Sequence, residues 1–149
     1  MARSHLPKCA RIYAAVFNRP PWDGKWTVRT AAKHIQESFQ DPNFRGIVAL
    51  DDSRPIGFAY GLVQQWEGER RFYLKEMCVE SSRQRSGAGS HLLASLIKRL
   101  KVENVRQISL RTGRGTPAER FYSRLGFEID PQIISMTKRL QRGPPLRPN

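Results

Sequence analysis

Two features of this 149-residue chain could do chemistry. The first is the turn Gln84-Arg85-Ser86-Gly87-Ala88-Gly89, a Q-x-x-G-x-G run between an apolar stretch and a helical one. A glycine turn at a helix start presents free backbone N–H groups, and the helix dipole adds partial positive charge there. Such a terminus suits a phosphate or pyrophosphate. Gly87 and Gly89 let the backbone approach the anion, and Arg83 and Arg85 add full charges. The third glycine of a dinucleotide fingerprint and the G-K-[ST] of a nucleotide P-loop are both missing. The second feature is Glu76, a carboxylate inside an apolar run. It is a candidate proton acceptor, or else it pairs with Lys75 or an arginine at the sheet surface. Cys78, two residues on, has no neighbouring histidine to activate it and reads as a small buried hydrophobe. His5, His34 and His91 are scattered and read as surface or partly buried side chains. Neither they nor the two cysteines have metal-ligand spacing, so no metal is expected.

The elements that must position these groups follow from periodicity. Phe72 to Val79 has the composition of a central strand, and Leu92, Leu93, Leu96, Ile97 and Leu100 form one face of the helix that follows. Upstream, Leu6 to Phe17 is a helix with Leu6, Cys9, Ile12, Tyr13 and Val16 on one side, ended by Pro20-Pro21. Trp22 and Trp26 fall in the next loop, as a clasp between helices or the lining of a pocket. A second helix carries Val28, Ala31, Ala32, Ile35 and Phe39, with Thr27 or Thr30 as cap and Pro42 as stop. Three antiparallel strands are expected at Phe44 to Leu50, Ile56 to Trp66 and the Phe72 run, with bends at Gly57 and Gly61. After Asn104 come a strand over Gln107 to Thr112 and a helix capped by Thr116, Pro117 and Glu119 and stopped at Gly126. Phe127 to Asp130 and Ile133 to Leu140 form a closing hairpin around Pro131. Residues 1–141 are expected as a single domain, and 142–149 as a disordered basic, proline-rich tail.

Composition bounds the partners. No apolar run approaches the ~20 residues of a membrane span. The start MARSHLPKCAR lacks a secretory apolar stretch, so the expectation is a cytoplasmic protein away from the membrane. The formal charge is +13. Residues 1–82 hold 12 basic and 9 acidic side chains, and residues 83–149 hold 14 and 4. The excess therefore lies in the half with the glycine turn, and its field attracts polyanions.

The segment EMCVESSRQRSGAGSHLL resembles the acetyl-CoA-binding motif of the GNAT superfamily of N-acetyltransferases, [RQ]-x-x-G-x-[GA] after a central strand. Thr116 to Phe127 resembles that family's A-x-x-F-Y-x-x-x-G-F segment, in the right order and at the right spacing. The resemblance covers Phe72 to Phe127. It implies an α/β (α+β) fold: a mixed, mainly antiparallel central sheet flanked by about four helices, its strands splaying apart where acetyl-CoA enters. The family's first edge strand is short or absent here.

Acyl transfer from a thioester to an amine needs a neutral amine, a stabilised oxyanion and a proton for the departing thiolate. A free alkylammonium has a pKa near ~10.4, so something must take its proton. The resemblance puts Glu76 where the family often has its base, and Tyr122 where a tyrosine protonates the coenzyme sulfur. Otherwise Tyr122 is a helix-face aromatic. By the same likeness the backbone of Cys78 and Val79 pairs with the pantetheine arm, and Gln84, Arg85, Ser86, Gly87, Ala88 and Gly89 hold the pyrophosphate. Where many members place an asparagine to contact the cofactor, this chain has Thr112-Gly113-Arg114, and Arg114 is the substitute candidate. The implied activity is direct acetyl transfer from acetyl-CoA to an amine-bearing substrate in a ternary complex. The acceptor resembles that of small-molecule members, a polyamine or aminoglycoside-like amine at an acidic lip of Glu67, Glu69, Glu76, Asp51 and Asp52, although the net charge repels polycations. A protein or peptide amine is the alternative, and a homodimer is compatible. The rival from another class is a basic nucleic-acid-binding module on the same fold. It would want aromatics interleaved with the basic residues of the second half, where only Phe121, Tyr122 and Phe127 occur.

Overall fold

Apolar spacing on the first two helices decides which sheet face they cover. In a computed structural model that describes residues 1–140, helices α1 (Leu6–Phe17) and α2 (Val28–Phe39) pack side by side. Cys9, Ile12, Tyr13, Ala31 and Ile35 are buried in one core with Phe58, Tyr60 and Cys78 of the sheet. Thr27 caps α2: its hydroxyl accepts from the Thr30 N–H at 3.1 Å, while the Thr30 hydroxyl accepts from the Thr27 N–H at 3.0 Å. No strand precedes α1 among the described residues; the chain enters it from a 3-10 turn at Arg3–His5.

The sheet consists of β1 (Phe44–Asp51), β2 (Arg54–Trp66), β3 (Glu69–Val79) and β4 (Val105–Leu110), in that spatial order. β1, β2 and β3 are antiparallel neighbours, and β4 lies parallel to β3. The parallel step requires a crossover, supplied by α3 (Ala88–Val102). Its buried Leu92, Leu93, Leu96 and Leu100 form a second core on the other sheet face with Ala59, Phe72, Leu74 and Val79. Helix α4 (Pro117–Arg124) adds Phe121 and Tyr122 to the margin of that core.

One irregularity shapes the centre. Tyr60 pairs with Glu76 and Gly61 pairs with Leu74, so Lys75 is an extra residue in β3, a β-bulge. The inward pattern shifts there: Phe72 and Leu74 face α3 before the bulge, Met77 and Val79 after it. Gly61 is required opposite the bulge, because a Cβ there would lie 1.9 Å from the Tyr73 carbonyl oxygen.

The expected closing hairpin is not formed. Residues 127–140 contain no strand, and Ile129, Ile133, Ile134, Met136 and Leu140 are exposed. The turn itself exists: the Asp130 carboxylate accepts from the Gln132 N–H, and its carbonyl accepts from the Ile133 N–H. Phe127 packs at the margin of the α3 core, but neither arm pairs with a strand of the sheet, and strand propensity without a facing surface to cover is a weak preference. The tail 142–149 lies outside the described residues.

Candidate functional site

β3 and β4 share hydrogen bonds only from Arg70 and Val105 to Leu74 and Leu110. Beyond that point β3 runs on through Lys75–Val79 with its β4-side edge open. The gap is the mouth of a cleft of about 990 Å³, bounded by β3, β4, the glycine turn, α4 and the loop after α1.

Backbone direction along the open edge follows from register. The Glu80 N–H donates to the Ile56 carbonyl at 2.7 Å, and hydrogen-bonded pairs recur every second residue in an antiparallel ladder. Cys78 and Glu76 therefore spend their backbone groups on β2, while Met77 and Val79 direct theirs to the open edge. Met77 and Val79 are thus the residues whose backbone faces the open edge, and Cys78 faces β2. The Val79 carbonyl accepts from the Gln84 side-chain amide at 3.0 Å, which ties the start of the turn to the strand.

The turn has the conformation its glycines permit. Gly87 is the N-cap of α3 with φ +85°, in the left-handed region, and no side chain caps the helix. The first N–H groups of α3 are thus left for an outside partner. Gln84, Arg85, Gly87 and Gly89 line the cleft; Ser86 and Ala88 are not among its lining residues. The Ser86 hydroxyl instead donates to the Arg83 carbonyl. Arg83 is also committed, by an ion pair with Asp51, which leaves Arg85 as the arginine of the turn that reaches the cleft. Arg114 is exposed and does not line it; from the same strand end Arg111 and Thr112 do.

Glu76 and Tyr122 share the cleft. Glu76 pairs neither with Lys75 nor with an arginine: its carboxylate meets His34 Nε2 at 2.8 Å, both side chains partly shielded from water. The bulge turns Lys75 and Glu76 to the same sheet face, where each takes its own partner on α2: Lys75 donates to the Ser38 hydroxyl at 2.8 Å, and His34 takes Glu76. His34 is wedged against Tyr13 and Trp26, with ring centroids 5.5 and 5.2 Å away. Burial, and then the Glu76 carboxylate, push the Tyr13 hydroxyl well above the usual phenol range. Burial likewise raises the Tyr122 hydroxyl to about 12, with Glu76 and Cys78 adding to it. Tyr122 thus keeps its proton at neutral pH. Cys78 is buried and its thiol is held well above the ordinary value, by burial first and then by Cys9.

His34 is the residue that sequence reasoning passed over. Its signal was placement on α2 one residue before Ile35, which put its neighbours, but not its ring, in the apolar stripe. The two tryptophans divide the roles expected of them: Trp26 packs edge-on to Tyr13 in the core, and Trp22 lines the cleft. The acidic lip is absent from the lining. Of its five members only Glu76 is there, since Asp51 is held by Arg83 and Glu67 and Glu69 flank the β2–β3 turn. Phe121, Tyr122 and Phe127 pack toward the α3 core and present no row of stacking aromatics. Among the described residues no group of three His, Cys, Asp or Glu side chains could hold a metal, and no helix is long and apolar enough to cross a membrane.

Comparison with known proteins agrees with this architecture. A model of the acetyltransferase (GNAT) family matches residues 9–127. The mycothiol acetyltransferase of Rhodococcus jostii (strain RHA1) is 30% identical over 129 residues, a match that takes in 82% of this chain and 42% of that protein. The chain thus spans less than half of that relative's length. An aminoglycoside acetyltransferase from an uncultured soil metagenomic sample, solved with trehalose, superposes with a TM-score of 0.74 at 20% identity, over 95% of this chain and 93% of that one. An aminoglycoside N-acetyltransferase solved in complex with CoA also gives 0.74 at 20% identity, over 94% and 92%. At that identity the two structures speak to the fold.

Proposed function

The chain belongs to the acetyltransferase (GNAT) family, and from that premise we propose that it moves an acetyl group from acetyl-CoA to a small-molecule primary amine within one ternary complex. The observation that carries the reading is the single cleft in which an uncapped glycine turn, an open strand edge, Glu76 and Tyr122 follow one another.

In this reading Gly87, Gly89 and the α3 N-terminus bind the pyrophosphate, with Gln84 holding the turn and Arg85 adding charge. Met77 and Val79 receive the extended pantetheine arm along the open edge, as an added strand would be received. Glu76, steadied by His34, accepts the proton of the attacking ammonium, directly or through one water. The amine nitrogen then bonds to the thioester carbonyl carbon, the carbon–sulfur bond breaks, Tyr122 gives its proton to the departing thiolate, and the second proton of the amine nitrogen restores the Tyr122 hydroxyl. Its place in the cleft with Glu76 supports that role. Cys78 and Cys9 take no part: both are buried free thiols pushed upward by desolvation, Cys9 to about 12, so neither offers a thiolate for an acetyl-cysteine. The two aminoglycoside enzymes and the mycothiol enzyme support a small-molecule acceptor.

The test is titration calorimetry with acetyl-CoA, run beside a short random-sequence DNA duplex, followed by thiol release on adding amines. Saturable one-to-one acetyl-CoA binding that survives added salt, with amine-dependent CoA release, is the expected result. No acetyl-CoA binding together with steeply salt-dependent DNA binding overturns it.

A further inference from the structure

The cleft is charged in the wrong sense for a polycation. Arg19, Lys75, Arg85, Arg111 and Arg124 line it, against the single carboxylate of Glu76, which is already engaged by His34. None of the five cations makes an ion pair among the described residues. Elsewhere Asp51, Glu80 and Glu103 are each gripped by at least one arginine. Five cations that no carboxylate neutralises therefore line the cleft of about 990 Å³.

They divide by position. Arg85 belongs to the glycine turn. Arg19 follows α1, Lys75 sits at the β3 bulge facing α2, and Arg111 lies just past β4, beside Tyr73 and away from the α3 core. Arg111 is pre-oriented: its Nε donates to the Tyr73 hydroxyl at 2.9 Å and its guanidinium lies 5.9 Å from that ring's centre. Its two terminal amino groups have no partner among the described residues. A guanidinium held in this way offers its fork to a carboxylate or phosphate, which it binds in two parallel hydrogen bonds. A second ammonium on the acceptor would instead meet like charge, at a cost of several kcal/mol.

We propose that the acceptor amine also carries an anionic oxygen group, carboxylate or phosphate, held by Arg111 and Arg19 with Lys75 beside them. The inference rests on the acetyl-transfer reading above and narrows its substrate class to acidic amines.

The test first establishes acetyl-CoA binding by calorimetry, then compares matched amines by CoA release. Phenylalanine is set against phenylalaninamide, and O-phosphoethanolamine against ethanolamine, with spermidine as the polycation. Amines that bind without turnover are compared by titration into the CoA complex. The acidic member of at least one pair is expected to lead its neutral partner by about tenfold or more in kcat/KM or affinity, and the pair that shows it tells carboxylate from phosphate. Arg111→Gln and Arg19→Gln, both at exposed positions, should bring that ratio close to one, and added salt should shrink it. If acetyl-CoA binds but the neutral amines or spermidine do as well or better, the inference falls and acetyl transfer stands. If acetyl-CoA does not bind, both fall.

Discussion

The two walls of the cleft are made of different material. On the α3 side the groups offered to a ligand are backbone: the strand edge at Met77 and Val79 and the uncapped first turn of α3. On the α1–α2 side they are side chains: Arg19, Trp22, Lys75, Glu76 and Arg111. A backbone wall depends on conformation, so it constrains a few positions severely and leaves the rest free. A side-chain wall can be rewritten residue by residue without disturbing the sheet. One fold can in this way keep a single cosubstrate while its acceptors change.

The sharpest way to break this contrast is at Gly89. A Cβ there would sit 3.5 Å from the Phe121 ring and 3.6 Å from the Met77 methyl, ordinary contact distances. Gly89→Ala should therefore keep acetyl-CoA affinity within a few-fold. Gly89→Glu brings a carboxylate to the proposed pyrophosphate position, and like-charge contact of several kcal/mol should weaken binding about 1,000-fold, read by calorimetry. Equal loss in both variants would mean the wall acts through shape and not as an anion site.

Tyr122→Phe comes next. It removes one hydroxyl at the meeting of the walls, and turnover should fall about 100-fold with acetyl-CoA affinity nearly unchanged. A fall in affinity to match would place the hydroxyl in binding. On the opposite wall, Glu76→Gln should cost kcat by a similar or slightly smaller factor. His34 acts through Glu76 as a positioning residue, so His34→Ala should cost about tenfold and move the pH profile of kcat. His34→Gln, whose amide can still donate to the carboxylate, should recover most of that loss; equal defects in both would mark His34 as packing alone.

The same contrast accounts for what the sequence disclosed. The glycine turn, α1, α2 and α3 were legible because each leaves a local mark: a Q-x-x-G-x-G run, a Thr27 cap, leucines at helical spacing. The β3–β4 splay followed from the family likeness, and β4 itself lies at Val105–Leu110, two residues before the run expected. The side-chain wall was far less legible. The His34–Glu76 pair joins residues 42 apart, and Lys75 and Glu76 reach the same face of the sheet only because of a bulge set by the register opposite Gly61. Arg111, and not Arg114, reaches the cleft because β4 ends at Leu110. The hairpin at 127–140 shows the opposite failure, a local strand pattern with no facing surface in the tertiary structure to pair it.

The smallest expected effect concerns proton affinity at Tyr122. Its hydroxyl is raised from 10.0 in the free state to about 12 by burial and by the Glu76 charge. A group whose folded pKa lies above its unfolded one stabilises the fold fully below the unfolded value and loses that contribution as pH rises through the folded one. For Tyr122 the window opens near pH 10 and closes near 12. At pH 11 the loss is of order 1 kcal/mol. Tyr13 and Tyr60 are raised in the same direction, so wild-type stability alone cannot isolate it. The difference between wild type and Tyr122→Phe can: the melting temperature of the wild type should drop more steeply from pH 9 to 11 than that of the variant, while the two curves run parallel from pH 6 to 9. Parallel curves throughout would mean that the hydroxyl ionises as freely folded as unfolded, and that the cleft neither buries it nor brings the Glu76 charge to bear on it.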